Sequence, residues 1–243
     1  MKRIVAMVLM IGIAAAAFAG GNSEQPVGRG GGYGQGRGAG YGVTDGAGGQ
    51  EDISILIADV APSDLSAEEA AGLLFMYEEE KLARDVYARL YEIWNLPVFA
   101  NISASEEQHM SAVAYLLDRY QVENAAATLA VGAFDDAELS ELYDKLVAEG
   151  SASVAAALRV GATIEDLDIA DLAEYIDASD NDDVRIVYQN LMKGSRNHIR
   201  SFVAQLDRVG ASYDAQFIEH SYLEEILAIS REVAPITDPL YVM

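Results

Sequence analysis

Six residues of this chain are of the types and in the contexts that hold metal ions: Glu80, Glu106, His109, Glu165, Asp168 and His198. Glu106 and His109 stand three apart, a spacing that puts both on one face of a helix and within reach of one ion. The chain has no cysteine, which excludes disulfides, thiolate ligands and thiol nucleophiles. A metal here is bound by carboxylate oxygen and imidazole nitrogen, a donor set that favours iron, manganese or zinc over copper(I) or iron–sulfur clusters.

Where these residues fall is more informative than what they are. At roughly 100° per residue, Leu73, Met76, Ala83, Tyr87, Tyr91 and Trp94 lie within about 60° of Glu80. Glu78, Lys81, Asp85 and Arg89 take the far, solvent side. Ile102, Met110, Val113, Leu117 and Tyr120 cluster within roughly 40° of Glu106, with His109 about 60° away. Val154, Leu158, Gly161, Leu172 and Ile176 surround Glu165, with Asp168 one turn on, and Val184, Val187, Leu191 and Phe202 surround His198. Each of four helices thus puts an ionisable group on the stripe that should be dry. A carboxylate buried alone is costly and would normally take up a proton. Taken singly, each has a plainer reading as a protonated acid or a partner of Tyr77, Tyr87, Tyr91 or Tyr120. Six together need positive charge, and a pair of divalent ions would supply it. His220, in the last loop, reads as an ordinary surface histidine.

The elements that position these groups are helices. Ser66 followed by Glu69 is a capping box that opens a helix reaching Trp94. Asn95 and Pro97 break it, and a second helix runs from about Ala100 to Tyr120. A shorter one covers Ala137 to Ala148 and stops at Gly150. Ser151 caps a third long helix ending near Asp177, Asp182 or a neighbour starts a fourth that runs to Gly210, and a last short one spans Tyr222 to Ile229. Four long helices with short breaks specify a bundle. The expected fold is all-α, a four-helix bundle over residues 65–230 with one or two short accessory helices and a tail over 231–243. Ile53 to Val60 reads either as a strand or as a docking arm.

Ahead of this domain, Lys2 and Arg3 precede an apolar run and Ala17-Phe18-Ala19 gives small residues at cleavage spacing, the pattern of a secretory signal peptide over 1–19. Residues 20–64 begin as a linker, with 14 of the 21 glycines lying between 20 and 50. An exported protein is expected, with no membrane span after cleavage. The formal charge of −23 repels phosphate backbones, which argues against nucleic acid as a partner and for cations. A homodimer is compatible with all of this.

The arrangement resembles the ferritin-like superfamily, in which bundle helices offer a Glu and a Glu-x-x-His. Glu80-Lys-Leu-Ala-Arg-Asp-Val-Tyr87 is similar to the first-helix stretch of rubrerythrins, Glu106-Glu-Gln-His109 to their second-helix motif, and Glu165-x-x-Asp168 to the paired acids of the third. Phe75 to Tyr87, Asn101 to Met110 and Gly194-Ser-Arg-Asn-His198 are more similar still to a prokaryotic family of uncharacterised ferritin-like domains. The resemblance implies a di-iron centre, with peroxidase- or ferroxidase-like oxidoreductase chemistry. The chain departs from the pattern at Ser195-Arg-Asn-His198, where Glu-x-x-His would supply one more carboxylate, and it lacks the four-cysteine iron module of rubrerythrins. Three classes of function follow: a redox enzyme, a non-catalytic metal-sequestering protein, and a metal-free structural or interaction bundle.

Overall fold

The computed structural model describes residues 53–241. The expected signal peptide, most of the expected glycine-rich linker and the last two residues lie outside that range. Among the described residues every regular element is helical: α1 (Ile53–Leu56), α2 (Ala67–Trp94), α3 (Pro97–Arg119), α4 (Ala137–Gly150), α5 (Val154–Ala178), α6 (Asp182–Arg208) and α7 (His220–Ala228), with a 3-10 turn at Ala125–Thr128. No helix of the described residues is long and apolar enough to cross a membrane.

Local chemistry explains most boundaries. Ser66 accepts from the Glu69 amide while Glu69 reaches back to Ser66, so the capping box forms as expected. Asn95 ends α2 in the left-handed conformation (φ 51°), and α3 starts earlier than periodicity alone indicated, with Pro97 at its first turn. There a missing N–H costs nothing. Gly150 lies inside α4, and Ser153 rather than Ser151 caps α5 by accepting from Ala156. Ile53 to Val60 is no strand. It is a helical turn followed by a bend, docked through fully buried Ile57 and through Arg119, which donates to the carbonyls of Ile57 and Val60.

The long helices pack chiefly as two hairpins, α2 with α3 and α5 with α6, and the hairpins meet through α2 on α5 and α3 on α6. Helix α4 covers α2 and α5 from outside. Helix α5 is consequently buried all round from Val160 to Leu172. One side of it is sealed by Asp166, which accepts from Tyr213 Oη (2.7 Å) and from the amides of Gln216 (2.5 Å) and Ile218 (2.9 Å).

The far side of α2 corrects the helical-wheel reading. Glu78, Lys81 and Asp85 are buried, because residues 130–136 fold back over them. Lys81 Nζ pairs with Asp85 (2.7 Å) and donates to the Ala130 carbonyl (2.9 Å), and Asp85 accepts from the Gly132 amide (2.9 Å). Glu78 accepts from the amides of Asp135 and Asp136. Tyr91, placed on the inner stripe by periodicity, is exposed instead.

The apolar core is in two parts. One joins Leu82, Val86 and Tyr87 of α2 to Phe99 and Ile102 of α3 and to Ile199 and Phe202 of α6. The other joins Leu73 and Met76 to Met110, Val113 and Leu117 and to Val184, Val187 and Leu191. Between them on α2, α3 and α6 lie residues 78–81, 103–109 and 193–198. The candidate ligands of these helices occupy that gap.

Candidate metal centre

All six sequence-identified residues are buried, none more than 8% exposed. Five of them converge. Glu80, Glu106 and His109 form one group whose ligand atoms lie within 4.8 Å of one another, and Glu106, Glu165 and His198 form a second. Glu106 belongs to both. Its Oε2 lies 2.7 Å from His109 Nδ1 and its Oε1 lies 2.9 Å from His198 Nδ1. His109 Nδ1 is also 3.1 Å from Glu80 Oε2, and His198 Nδ1 is 3.4 Å from Glu165 Oε2. The two imidazoles stack with ring centroids 5.4 Å apart.

Each histidine is oriented from behind. His198 Nε2 meets the Ser105 hydroxyl at 3.0 Å, which leaves Nδ1 to face the carboxylates. His109 Nε2 abuts α6 at Gly194, where an added Cβ would stand 2.5 Å from it. Glycine there lets the helices approach closely enough for the ring to fit. Tyr87, packed against Phe99 and Phe202, donates to Glu165 Oε1 at 2.5 Å. The plainer reading of a buried acid satisfied by a tyrosine thus describes one oxygen of Glu165, and Glu80 and Glu106 have no tyrosine partner.

Several buried atoms of these two groups lack hydrogen-bond partners: Glu80 Oε1, Glu106 Oε1 and His198 Nδ1. Glu106 Oε1 and His198 Nδ1 are close, yet neither makes a hydrogen bond of acceptable geometry. Buried polar atoms left this way are rare without a further occupant. Burial pushes the Glu80 carboxyl up to about 7 against the pull of His109. Burial raises Glu165 too, and Glu106 adds to it. Glu106 is the exception: despite burial, His198 and His109 hold it below the usual carboxylate range. Burial disfavours the charged form of His198, but Glu106 and Glu165 outweigh it and lift its pKa to about 10.

Asp168 stands apart from both groups. Its Oδ2 takes the Ser195 hydroxyl, and its Oδ1 has no partner. His220 is exposed and sits 3.5 Å from Glu224. Sequence reasoning missed Glu79, which is buried beside Glu80, and the supporting Ser105. Glu79 sits about 100° off the inner stripe, so helix periodicity carried no signal for it.

The comparisons cover the same stretch. Uncharacterized protein MJ0754 of Methanocaldococcus jannaschii is 49% identical over 176 residues, 72% of this chain and 95% of the relative. The crystal structure of that hypothetical protein matches with a TM-score of 0.70 at 49% identity, over 72% of this chain and 99% of the solved one. An uncharacterized protein domain family, DUF2202, matches residues 69–230, a span that contains all six candidate residues. The chain belongs to that family.

Proposed function

We propose that the four long helices form a ferritin-like four-helix bundle in an exported protein, and that Glu80, Glu106, His109, Glu165 and His198 hold a dinuclear metal centre. Glu106 would contribute to both positions, and iron is the favoured occupant, with manganese or zinc as substitutes. The observation that carries this reading is the sharing of Glu106 by two buried triads in which Glu80 Oε1, Glu106 Oε1 and His198 Nδ1 lack hydrogen-bond partners. The donor set of oxygen and imidazole nitrogen fits such ions. Iron so held would supply redox chemistry toward oxygen or peroxide, or oxidise further ferrous iron. The chain's own part is to orient the imidazoles through Ser105 and the close approach at Gly194, to fix Glu165 through Tyr87, and to exclude water with apolar layers on either side.

A second reading, retention of metal without turnover, is favoured by one observation. Ser195 stands where a carboxylate would face the centre, and it bonds Asp168 instead. Elemental analysis of protein purified without added metal, beside Glu106→Ala and His109→Ala variants, tests the centre itself. Two ions per chain, lost in both variants, is the expected result; no ion in the parent protein refutes the reading. Anaerobic loading with ferrous iron followed by oxygen or peroxide then separates the two functions. A new absorbance band marks redox turnover, and an unchanged spectrum with full retention of iron marks sequestration.

A further inference from the structure

The two metal positions differ in what the chain offers them. At the first, Glu80 brings both carboxylate oxygens: Oε2 faces His109 Nδ1 at 3.1 Å, and Oε1 has no hydrogen-bond partner. Glu106 Oε2 and His109 Nδ1 bring that set to four donor atoms. At the second, one oxygen of Glu165 is already engaged. Tyr87 donates to its Oε1 at 2.5 Å. The phenol is fully buried, lodged against Phe99 and Phe202, with its oxygen 3.3 Å from the Gly161 carbonyl. A carboxylate oxygen that holds a short hydrogen bond is a poorer donor to a metal. Glu165 Oε2, Glu106 Oε1 and His198 Nδ1 remain, a set of three.

The second position is also the one nearer solvent. The His198 side chain is 10% exposed, against 1% or 2% for Glu80, Glu106, His109 and Glu165. Ser105, which meets its Nε2, is half-buried. Four protein donors in a dry setting suit an ion that is retained. Three donors beside solvent suit one that takes a further ligand from outside.

We propose that Tyr87, by withholding one oxygen of Glu165, keeps a coordination position open on the Glu165–His198 side of the centre, and that a small exogenous donor such as water, dioxygen or peroxide binds on that side alone. The inference rests on the dinuclear reading above and divides its two positions by role. The Glu80–His109 side fills first and holds its ion; the Glu165–His198 side fills second and exchanges.

The test is anaerobic titration of the metal-stripped full chain with cobaltous ion, read by its visible absorption bands, with azide as the probe of the open position. Wild type should bind two equivalents in separate steps and respond to azide only after the second. Tyr87→Phe keeps the ring and frees the Glu165 oxygen, so the second step should tighten by roughly tenfold and azide should bind more weakly. A tyrosine that merely orients its carboxylate predicts the reverse, a loss of roughly tenfold to a hundredfold. Glu165→Gln should lose the second step and the azide response together and keep the first. Tyr188→Phe removes a buried hydroxyl that has no hydrogen-bond partner and lies in the other part of the core; it should behave as wild type. Thermal melting of the metal-free variants checks folding. Inseparable steps, an azide response at one equivalent, a second step unchanged or weakened by Tyr87→Phe, or an azide response that survives Glu165→Gln overturns the assignment, while two bound equivalents leave the centre standing. Failure of wild type to bind cobalt sinks both.

Discussion

On α2, Glu80 and Lys81 are neighbours in sequence and both are sealed from solvent, yet the charges around them balance differently. Lys81 meets Asp85, the Ala130 carbonyl and the Phe134 ring, whose centroid is 4.5 Å away, and Asp85 also pairs with Arg84 at 2.8 Å. Around Glu80 the balance is different. Glu79, Glu106, Glu165 and Asp168 are buried as well, with His109 and His198 as the positive partners. One face of the helix is neutralised by the fold. The other carries more buried acids than imidazoles, an excess that the proposed metal centre would neutralise.

Experiments can break this contrast. The largest effect should come from Lys81→Met, which removes one of the two cations paired with buried Asp85 and costs about 3–5 kcal/mol in chemical denaturation. Glu80→Gln in metal-free protein should cost little, since burial already raises the Glu80 carboxyl to about 7 and an amide keeps an oxygen toward His109. Equal losses in the two variants would end the contrast. Next in size, a divalent ion at a hundred- to thousandfold excess over its dissociation constant should raise the stability of metal-free protein by about 3–4 kcal/mol. Differential scanning calorimetry with and without chelator measures this, and Glu106→Ala should abolish it.

Gly194→Ala should come third, at about 1–3 kcal/mol, because the new Cβ forces His109 to move. It should weaken metal retention more than a remote glycine substitution of equal stability cost.

The smallest effect lies away from the centre. Although partly buried, Glu69 is held down to about 2 by Ser179, Ser66 and Asn181. A depressed carboxyl stabilises the fold above its ordinary value of 4.5 and loses that contribution as pH falls toward 2. Glu69→Gln should flatten the stability profile in that window and lower stability at all higher pH, neutrality included, while Ser66→Ala should cost about 1 kcal/mol near neutrality.

The inner stripe of each long helix could be read from sequence because side chains recur at helical spacing, and the capping box and the Glu106 to His109 spacing are local patterns. That sufficed to find the five residues that converge. Burial caused by distant segments left no such trace. Lys81 and Asp85 look solvent-facing on a helical wheel, and only the return of residues 130–136 covers them. Asp168 was correctly placed indoors, but its bond to Ser195 depends on how closely α5 meets α6. The choice of Ser153 over Ser151 as cap was undecidable locally, since either hydroxyl can serve.

On the outer side of α6, Arg196 and Arg200 grip the Glu232 carboxylate, Asn197 accepts from the Glu232 amide, and Asn190 both donates to and accepts from Ile236. Arg196 and His198 project about 200° apart around the helix axis. The chain after α7 therefore works as a torsional lock. Helix α6 cannot roll to swing its imidazole out of register without tearing an ion pair and a ladder of amide contacts on its opposite flank, so the azimuth of His198 is set partly by residues more than thirty positions downstream.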